Sequence, residues 1–441
     1  MNGHAEVRGA RVWIVGGTVR DTLLHRETRD LDLAVDRAAP RWTRRLADAL
    51  GGSFVELDGE HAVARVVLDG RYVDVAQLRG SIDDDLRRRD FTIDAMAAPV
   101  GGGDVIDVMG GLRDLERRAV RMTSEIALDD DPLRMLRAVR IARELDFAID
   151  GRTVEAIRNR ASAINSVSRE RVRDELARML ALPHPFAAFT SLDALRLIDE
   201  VLPELAPGRG VTQPEQWHAY DVFEHNMRTL EAMDVLLDAV ARDRERPWLH
   251  EDLWAAFGWC APRLRGYLQE SITAGRTRAS LLRLAALLHD IGKPQARTVD
   301  ERGRIRFFGH ADAGAAIAAR IMRRLRFSTR EIQFVRLLVA EHLRPVQLAQ
   351  VGEAPTRRAL YRFYRDLGDA APAVLILALA DAAATRGPRL ESADWSRHVR
   401  YMNSLLVRSY AAEGILDPPR LLTGDDIMSR FGLREGPLVG R

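Results

Sequence analysis

The stretch RVWIVGGTVRDTLLHRETRDLDLAV, residues 11–35, decides how the first part of the chain folds. Its first five residues predict an apolar strand, and Gly16 and Gly17 form a turn from which a helix begins. A glycine turn at a helix N-terminus exposes backbone N–H groups to a phosphate, although an ordinary tight turn would have the same sequence. The closing segment RDLDLAV alternates polar and apolar residues, which predicts a second strand.

Three acidic residues lie on the sheet that this pattern predicts. Asp30 and Asp32 are two residues apart and therefore share one face of their strand. Two carboxylates held this close repel each other, and a divalent cation such as Mg²⁺ would neutralise them; a solvated edge strand is the alternative. Asp74 lies on a later strand, YVDVAQL, and would be a third ligand or a structural residue. A phosphate-binding turn followed by three carboxylates is typical of nucleotidyl transfer with two metal ions.

The composition is that of an ordinary soluble globular protein. The chain has 441 residues, of which 46% are hydrophobic and 29% charged, and its 66 basic and 64 acidic residues give a net charge of +2. This balance argues against a non-catalytic RNA chaperone that coats nucleic acid through a basic block. The single cysteine, Cys260, excludes an intrachain disulfide and a cysteine-based zinc site, and it fits a reducing compartment.

Two further features bear on where the protein acts. The longest apolar run, near residues 372–384, is interrupted by Asp381 and is too short to span a membrane. The N-terminal residues lack the apolar core and cleavage site of a signal peptide. We therefore expect a cytoplasmic protein with no membrane partner.

The predicted secondary structure changes from strands to helices after Ser124. Before it, short strands are predicted for RVWIV, LDLAV, FVEL, VARVVL, YVDVAQL and VIDV. After it, apolar residues recur every three or four positions, which predicts helices to the end of the chain. Two prolines and two glycines within residues 206–214 predict a linker inside this helical part.

Four motifs in the first 200 residues occur in an order that carries a resemblance. They are GGTVRD, RDLDLAV, RRRDFTIDAMA (87–97) and DDPLRMLRAVRIARELDF (130–147). Together they resemble the successive motifs of the class II tRNA nucleotidyltransferases and bacterial poly(A) polymerases, members of the polymerase-β superfamily. One departure is Asp94, where the family usually has asparagine, and we expect this change to tune the activity without abolishing it.

The resemblance implies a role for each matched residue. Asp30 and Asp32 would hold Mg²⁺, with Asp74 as the third catalytic carboxylate. Residues implied to bind the nucleotide are Gly16, Gly17, Arg20 and Asp21 near the triphosphate, Arg89 and Asp90 near the sugar and phosphates, and Asp131, Arg134, Arg137 and Arg140 near the base.

Asp131 and Arg134 have a local interpretation beside the one that the resemblance implies. Asp131 followed by Pro132 is typical of a helix N-cap with proline at the first helical position. As base readers, the carboxylate would accept from the amino group of cytosine or adenine, and the guanidinium would donate to the adjacent ring nitrogen. Uracil and guanine present the reversed pattern and would leave buried groups unpaired. Arg140 lies on the opposite side of an ideal helix and would reach the nucleotide only through its length.

Histidine and aspartate residues of the second half form another ordered pattern. His225 lies in DVFEHN, the pair His289 and Asp290 in LLHDIGKP, and Asp381 in LALADAAATRG. Imidazoles and carboxylates that converge from three helices make a mixed nitrogen and oxygen site for a divalent transition metal. The order resembles the HD phosphohydrolase superfamily over residues 215–395.

The same resemblance implies that two further histidines, His310 and His342, hold a second metal ion. Lys293 is the only lysine, so the other 65 of the 66 basic residues are arginines. Because lysine is compact where arginine is a broad planar fork, we expect Lys293 to contact a substrate phosphate beside the metal site; chance survival in an arginine-rich chain is the alternative.

We therefore expect an α+β protein with four parts: a small mixed α/β nucleotidyltransferase head (1–125), an all-helical neck with the base-reading helix (126–205), a helical HD domain (215–395) and a helical tail (396–441). The activity expected first is addition of CCA to the 3′ end of tRNA from CTP and ATP, together with metal-dependent phosphohydrolysis by the HD domain. The alternatives are a poly(A) polymerase, an enzyme that adds only CC or only A, and a phosphohydrolase with an RNA-binding head. The sequence leaves the oligomeric state open.

Overall fold

A computed structural model describes residues 10–28, 30–59, 62–241, 253, 256–273, 275–349, 355–416, 424–432, 434 and 436. The chain forms two compact units. The first contains Met1–Leu182 and Ala187–Pro203, and the second contains Pro183–Phe186 and Glu204–Arg441. The finer division into four parts stays a prediction, and residues 417–423 of the predicted tail lie outside the described residues.

A six-stranded mixed sheet organises the first unit. Its strands are β1 (Val12–Val15), β2 (Asp30–Val35), β3 (Ser53–Asp58), β4 (Val63–Leu68), β5 (Arg71–Gln77) and β6 (Ala97–Pro99). They lie in the order β3-β4-β5-β2-β1-β6, in which only the pair β2 and β5 is parallel. The predicted α+β class, with a sheet in the head, is confirmed.

Strand β2 is exposed where it begins and buried where it ends. Leu33 and Val35 pack on one face of the sheet, with Trp42 of the following helix, while Ala34 packs on the other face. Asp30 is exposed and Asp32 is half-buried. Burial on both faces fixes the strand, so the two carboxylates at its open end are held on a rigid support.

Helices surround this sheet and follow it along the chain. Up to residue 203 they are α1 (Gly17–Leu23), α2 (Ala39–Leu50), α3 (Ile82–Arg87), α4 (Gly111–Glu116), α5 (Ile126–Asp130), α6 (Leu133–Leu145), α7 (Gly151–Arg160), α8 (Arg169–Ala181), α9 (Pro185–Ala194) and α10 (Ile198–Val201). A two-residue parallel pair, β7 (Ala119–Val120) and β8 (Ala148–Ile149), lies between them.

The prediction of a strand for VIDV (residues 105–108) is wrong. Only Ile106 pairs there, as an isolated bridge to Ala97, with both backbone hydrogen bonds made. The edge strand of the sheet is instead β6, which begins at Ala97, the last residue of the RRRDFTIDAMA motif, and ends at Pro99. Because β6 has only three residues and a glycine run precedes residues 105–108, little edge is left for a further strand to pair with.

The second unit is mainly helical, as predicted. Its helices are α11 (Val222–Ala241), α12 (Ala261–Gln269), α13 (Arg278–Leu288), α14 (Lys293–Ala296), α15 (His310–Arg324), α16 (Thr329–Glu341), α17 (Arg344–Ala349), α18 (Arg357–Leu367), α19 (Ala371–Arg386), α20 (Ser392–Leu416) and α21 (Gly424–Phe431). Two small hairpins interrupt them, β9 (Ser271–Thr273) with β10 (Arg276–Thr277) and β11 (Thr298–Val299) with β12 (Ile305–Arg306).

Helix α19 is the apolar centre of this unit. It packs against α11, α13 and α20, and it is buried over most of its length. The stretch 357–389 contains a window apolar enough to cross a membrane by composition, but 72% of that window is buried inside the unit. We interpret α19 as the core helix of the bundle, because its apolar surface is already covered by neighbouring helices.

Candidate functional sites

The first site of interest begins at the glycine turn between β1 and α1. Gly16 has a φ of 68°, a left-handed conformation that favours glycine. A Cβ atom at this position would lie 2.7 Å from Nη1 of Arg89. Glycine therefore lets the Arg89 guanidinium approach the backbone where α1 begins, and this places a cation beside a helix N-terminus, which is favourable for phosphate.

Arg20 is buried under this turn and binds two carboxylates. Its Nη1 donates to Asp94 at 2.6 Å, and its Nε and Nη2 donate to Asp21 at 2.9 and 3.1 Å. Burial raises the pKa of Asp94, and Asp90 adds to this effect while Arg20 opposes it. The Asp94 carboxylate thus fixes the position of the Arg20 guanidinium next to the glycine turn.

The three predicted catalytic carboxylates lie on adjacent parallel strands. Asp32 of β2 is in register with Asp74 of β5. Burial raises the pKa of Asp32 to about 6, and repulsion from Asp74 and Asp30 contributes, although Arg89 opposes it. Excess negative charge at this end of the sheet is the condition that a divalent cation relieves, so the residues fit Mg²⁺.

Asp74 differs from the other two because it already has a cationic partner. Nε of Arg65 lies 2.6 Å from one Asp74 oxygen, and Nη2 lies 2.8 Å from the other. This bidentate pair on neighbouring strands fixes the carboxylate beside Asp32. Arg65 has no motif signal in the sequence, because a cross-strand partner cannot be identified before the register is known.

Asp90 is the centre of a cluster of arginines. Its side chain is buried, and Nη2 of Arg137 lies 2.7 Å from its Oδ2. Burial raises the pKa of Asp90, but Arg137, Arg134 and Arg89 together outweigh burial and lower it below the usual value. The structure thus brings together four residues that were predicted to bind the nucleotide.

The predicted base-reading pair, Asp131 and Arg134, lies where α5 ends and α6 begins. Asp131 accepts a hydrogen bond from the backbone N–H of Leu133 at 3.2 Å, but α6 begins at Leu133 with Pro132 in the N-cap position, so the predicted N-cap at Asp131 lies one residue too early. Its other oxygen accepts from Arg171 of α8 at 2.7 Å. Nη1 of Arg134 donates to the carbonyl oxygen of Ala127 at 3.0 Å.

Arg171 is a residue of this site that the sequence analysis did not single out. It belongs to the charged segment RERVRDE, 40 residues beyond Asp131, and only the packing of α6 against α8 brings it near. Arg140 is directed elsewhere, since its guanidinium binds Glu144 at 2.8 Å and Glu175 at 2.7 Å. Its contact with a nucleotide stays a prediction.

The second site gathers side chains from several helices of the second unit. His225 lies within α11 and Asp381 within α19, while His289 and Asp290 directly follow α13. His310 begins α15 and His342 directly follows α16. All of these are buried except Asp381, which is partly buried.

One group of ligand atoms surrounds Nε2 of His225. It lies 3.1 Å from Nε2 of His289, 3.2 Å from Oδ2 of Asp290 and 3.1 Å from Oδ1 of Asp381. Two imidazoles and two carboxylates from three helices meet within one coordination sphere. This is the mixed nitrogen and oxygen set that the HD pattern predicts.

A second group surrounds the other oxygen of Asp290. Nε2 of His310 lies 3.2 Å from Oδ1 of Asp290, and Nε2 of His342 lies 3.5 Å from it. These three atoms are buried and have no hydrogen-bond partner in the described part of the chain. Because orphaned buried polar atoms are costly, their convergence fits a second cation that shares Asp290 with the first.

Backbone carbonyls hold the ligand histidines in the required orientation. Nδ1 of His289, His310 and His342 lies 2.9, 2.7 and 2.7 Å from the carbonyl oxygens of Ala286, Phe307 and Val339. In each case the Nδ1–H donates to the carbonyl, so Nε2 is the nitrogen that faces the cluster and would bind a metal ion in place of a proton.

Glycine is required where the HDIG segment meets α15. A Cβ atom on Gly292 would lie 2.2 Å from the carbonyl oxygen of His310 and 2.5 Å from the backbone nitrogen of Gly314. Only glycine permits this approach, which brings the first turn of α15, and with it His310, beside Asp290.

The electrostatics of this cluster favour positive charge. Burial lowers the pKa of His289, but Asp290 and Asp381 outweigh burial and raise it to about 10. Burial likewise raises the pKa of Asp290, but Lys293 and the neighbouring histidines reverse this and hold it well below the usual value. A divalent cation would supply this positive charge, so the donor set and its field both fit a metal site.

Lys293 lies beside Asp290, as its position in the sequence predicts. Its Nζ is 2.5 Å from Oδ2 of Asp290 and donates to Oε1 of Gln213 at 2.7 Å, and the residue is buried. Gln213 lies in the predicted linker. The ring of His218 packs edge-on against the ring of His225, with 5.5 Å between their centroids. Neither Gln213 nor His218 was singled out from the sequence. Contact of Lys293 with a substrate phosphate stays a prediction.

Comparisons with known proteins match three parts of the chain to family models. A model described as the poly A polymerase head domain matches residues 12–83 and 77–121. A model described as a probable RNA and SrmB-binding site of polymerase A matches residues 146–208. An HD domain model matches residues 259–386.

Curated relatives match nearly the whole chain. An A-adding tRNA nucleotidyltransferase of Deinococcus radiodurans is 36% identical over 97% of this chain and 88% of its own length. A CC-adding tRNA nucleotidyltransferase of Thermus thermophilus is 35% identical over 97% and 86%. Another CC-adding enzyme, from Geobacter sulfurreducens, is 33% identical over 98% and 86%.

Solved structures with less sequence similarity share the fold. The complex structure of a CCA-adding enzyme with ATP superposes with a TM-score of 0.61 at 19% identity, covering 99% of this chain and 86% of that one. A tRNA nucleotidyltransferase complexed with a primer tRNA and an incoming ATP analog gives 0.60 at 21% identity, covering 93% and 98%.

The Arg20–Asp94 pair generates a prediction on stability. Replacing Asp94 with leucine would leave the buried guanidinium with one carboxylate fewer, at a cost of about 3 kcal/mol in the free energy of unfolding. Asp94→Asn keeps an acceptor for Arg20 and should cost less than about 1 kcal/mol. Urea unfolding followed by circular dichroism measures both, and equal losses for the two variants would contradict the proposed support of Arg20.

The histidine and aspartate cluster generates a prediction on metal binding. His289→Ala removes one imidazole of the first group and should lower the Mn²⁺ bound by at least about one equivalent per chain. Equilibrium dialysis with metal analysis gives the stoichiometry. His184→Ala is the matched control, because His184 is an exposed histidine of the same unit, and a loss of metal in this control or none in His289→Ala would exclude the site.

Proposed function

This chain belongs to the tRNA nucleotidyltransferase family, with an HD domain in its C-terminal half, and from this we propose that it completes the 3′ end of tRNA with CCA, transferring CMP and AMP from CTP and ATP. It is an enzyme of the nucleotidyltransferase type. The observation that carries the proposal is the convergence of Asp32, Arg89, Asp90 and Arg137 in one unit beside a glycine turn.

In the proposed reaction the terminal 3′-hydroxyl oxygen of the RNA attacks the α-phosphorus of the nucleotide. The bond to the bridging oxygen breaks and pyrophosphate leaves. Asp30 and Asp32 would hold Mg²⁺, which when bound neutralises charge on the attacking and leaving oxygens. Arg89 and the exposed N–H groups at the start of α1 would bind the phosphates, and this holds the α-phosphorus in line with the hydroxyl.

Asp131 and Arg134 support selection of the base by protein side chains. Arg171 and the N–H of Leu133 hold the Asp131 carboxylate, and the carbonyl of Ala127 holds the Arg134 guanidinium. Each group keeps hydrogen-bonding capacity for a ligand, since a carboxylate has about four acceptor sites and a guanidinium five donors. A fixed acceptor next to a fixed donor suits the pairing edges of cytosine and adenine.

Restriction to CC or to A alone is a second candidate function. It is favoured by the relatives that match over nearly the whole chain, which are named as A-adding or CC-adding enzymes. Since the same pair of side chains would accept either base, the number and order of additions depend on features beyond that pair. A poly(A) polymerase is the remaining alternative. We also propose that the reaction takes place in the cytoplasm.

The HD domain supports a second activity, metal-dependent hydrolysis of phosphoesters. The two ligand groups that share Asp290 would hold a pair of divalent cations, and such a pair, when bound, activates water and neutralises phosphate charge. Lys293 lies beside Asp290 and adds a positive charge for a phosphate oxygen.

The transferase proposal predicts the products on three RNAs: a tRNA transcript that ends before CCA, a tRNA transcript that ends after C and C, and an unrelated RNA. With Mg²⁺, a CCA-adding enzyme extends the first with two CMP and one AMP and the second with one AMP, and it leaves unrelated RNA unextended. Single-nucleotide gel resolution separates CC-only, A-only and polyadenylated products.

Asp32→Asn should lower the rate on both tRNA substrates at least about hundredfold, because it removes charge from the cation site. Asp104→Asn, an exposed acid in the same unit, is the control and should retain the rate. A normal rate in Asp32→Asn, or no incorporation by the unchanged protein on any RNA, would overturn the proposal.

The hydrolase proposal predicts that the two activities separate by mutation. With Mn²⁺ or Ni²⁺ the protein should release nitrophenol from p-nitrophenyl phosphate or its diester, and His289→Ala should lower that rate at least about hundredfold while tRNA extension is retained. His184→Ala serves again as the control. Equal hydrolysis by His289→Ala and the unchanged protein would refute an active HD centre.

A further inference from the structure

The metal-ligand cluster of the second unit opens into a large cleft. Asp290, His310 and Asp381 line it, and its volume is about 2080 Å³. Sites for one small ligand usually enclose roughly 300–1,000 Å³. The cleft therefore has room for more than one nucleotide next to the metal ligands.

One wall of this cleft is a row of unpartnered polar groups on helix α20. His398 and Tyr401 are spaced three residues apart, so they share one face of the helix, and both line the cleft. We call them the recognition row. His398 Nε2 and the Tyr401 hydroxyl are buried atoms that have no hydrogen-bond partner among the residues the structure describes.

Two such atoms on one face of α20, both on side chains that line the cleft, indicate a ligand. A buried polar group without a partner costs about 1–3 kcal/mol, so a chain gains nothing from keeping a row of them for packing alone. His398 makes a hydrogen bond with the backbone of Ala378, which as a carbonyl can only accept. Nε2 of the neutral ring is then an acceptor, whereas the Tyr401 hydroxyl offers a donor or an acceptor.

The rim of the same cleft carries two exposed aromatic side chains backed by arginines. Trp217 is 53% exposed and has the Arg386 guanidinium 5.2 Å from its ring centroid. Phe308 is 74% exposed and has Arg306 at 5.5 Å. Exposed rings with adjacent cations are the usual platforms for bases of a single-stranded nucleic acid.

We propose that this cleft binds the terminal nucleotides of a single-stranded nucleic acid. The terminal phosphoester lies at the histidine and aspartate cluster, the terminal nucleoside hydrogen-bonds to the recognition row, and the preceding base stacks on Trp217 or Phe308. Mixed donors and acceptors suit a nucleoside, and the volume and the rim suit a strand longer than a mononucleotide. This inference deepens the HD activity proposed above and rests on it for the placement of the phosphoester.

The test measures binding of two probes to the full-length protein by fluorescence anisotropy and competition. The probes are a labelled trinucleotide with a 3′-phosphate and unlabelled adenosine 3′-monophosphate. The double variant His398→Phe/Tyr401→Phe keeps the ring shapes and should weaken binding of both about tenfold. The double variant Trp217→Ala/Phe308→Ala should weaken the trinucleotide about tenfold and the mononucleotide less than about twofold.

Tyr361→Phe, an exposed tyrosine of α18 that does not line the cleft, is the control and should bind both probes like the unchanged protein. Unchanged dissociation constants in both double variants, or equal binding of the two probes by the unchanged protein, would overturn the inference. Hydrolysis of p-nitrophenyl phosphate is measured in parallel. If the unchanged protein hydrolyses p-nitrophenyl phosphate but both double variants bind the probes normally, this inference fails and the proposed HD activity stands. If the double variants weaken binding but the unchanged protein does not hydrolyse p-nitrophenyl phosphate, the proposed HD activity fails and the cleft remains a binding site.

Discussion

Concentrated carboxylate charge is the constraint on which both halves of the molecule depend. In the first unit Asp32 lies beside Asp74 and near Asp30, and burial together with their repulsion raises its pKa to about 6. In the second unit Asp290 is buried among four imidazoles and Lys293. Neither arrangement is stable without positive charge close by, and in each the surrounding elements leave room for a cation to provide it.

The arrangement of arginines follows from this constraint. Arg65 fixes Asp74, Arg137 binds Asp90, and Arg20 joins Asp21 to Asp94, so buried acids of the first unit are matched one by one. The net charge of +2 follows from the counts alone, since 64 acidic residues stand against the 66 basic ones. The single lysine is buried, and its Nζ lies between Asp290 and Gln213. A planar guanidinium needs a broader pocket.

Local signals in the sequence predicted those parts that depend on neighbours along the chain. The glycine turn, the alternation of β2, the proline next to Asp131 and the His289–Asp290 pair at the end of an apolar helix were all recognised in this way. The residues that were missed act across long separations. Arg171 reaches Asp131, Arg65 reaches Asp74 through strand register, and the recognition row meets the metal ligands only through helix packing. The strand wrongly predicted at 105–108 failed for the same reason, because pairing depends on how much edge is available.

The most direct measurement for this account is anomalous diffraction from crystals of the protein grown with CTP and soaked in Mn²⁺. The account predicts anomalous peaks between Asp30 and Asp32 in the first unit, and two peaks on opposite sides of the Asp290 carboxylate in the second. The nucleotide phosphates should lie at the glycine turn beside Arg89. Manganese bound elsewhere, with Asp32 and Asp290 neutralised only by side chains such as Arg89 and Lys293, would contradict it.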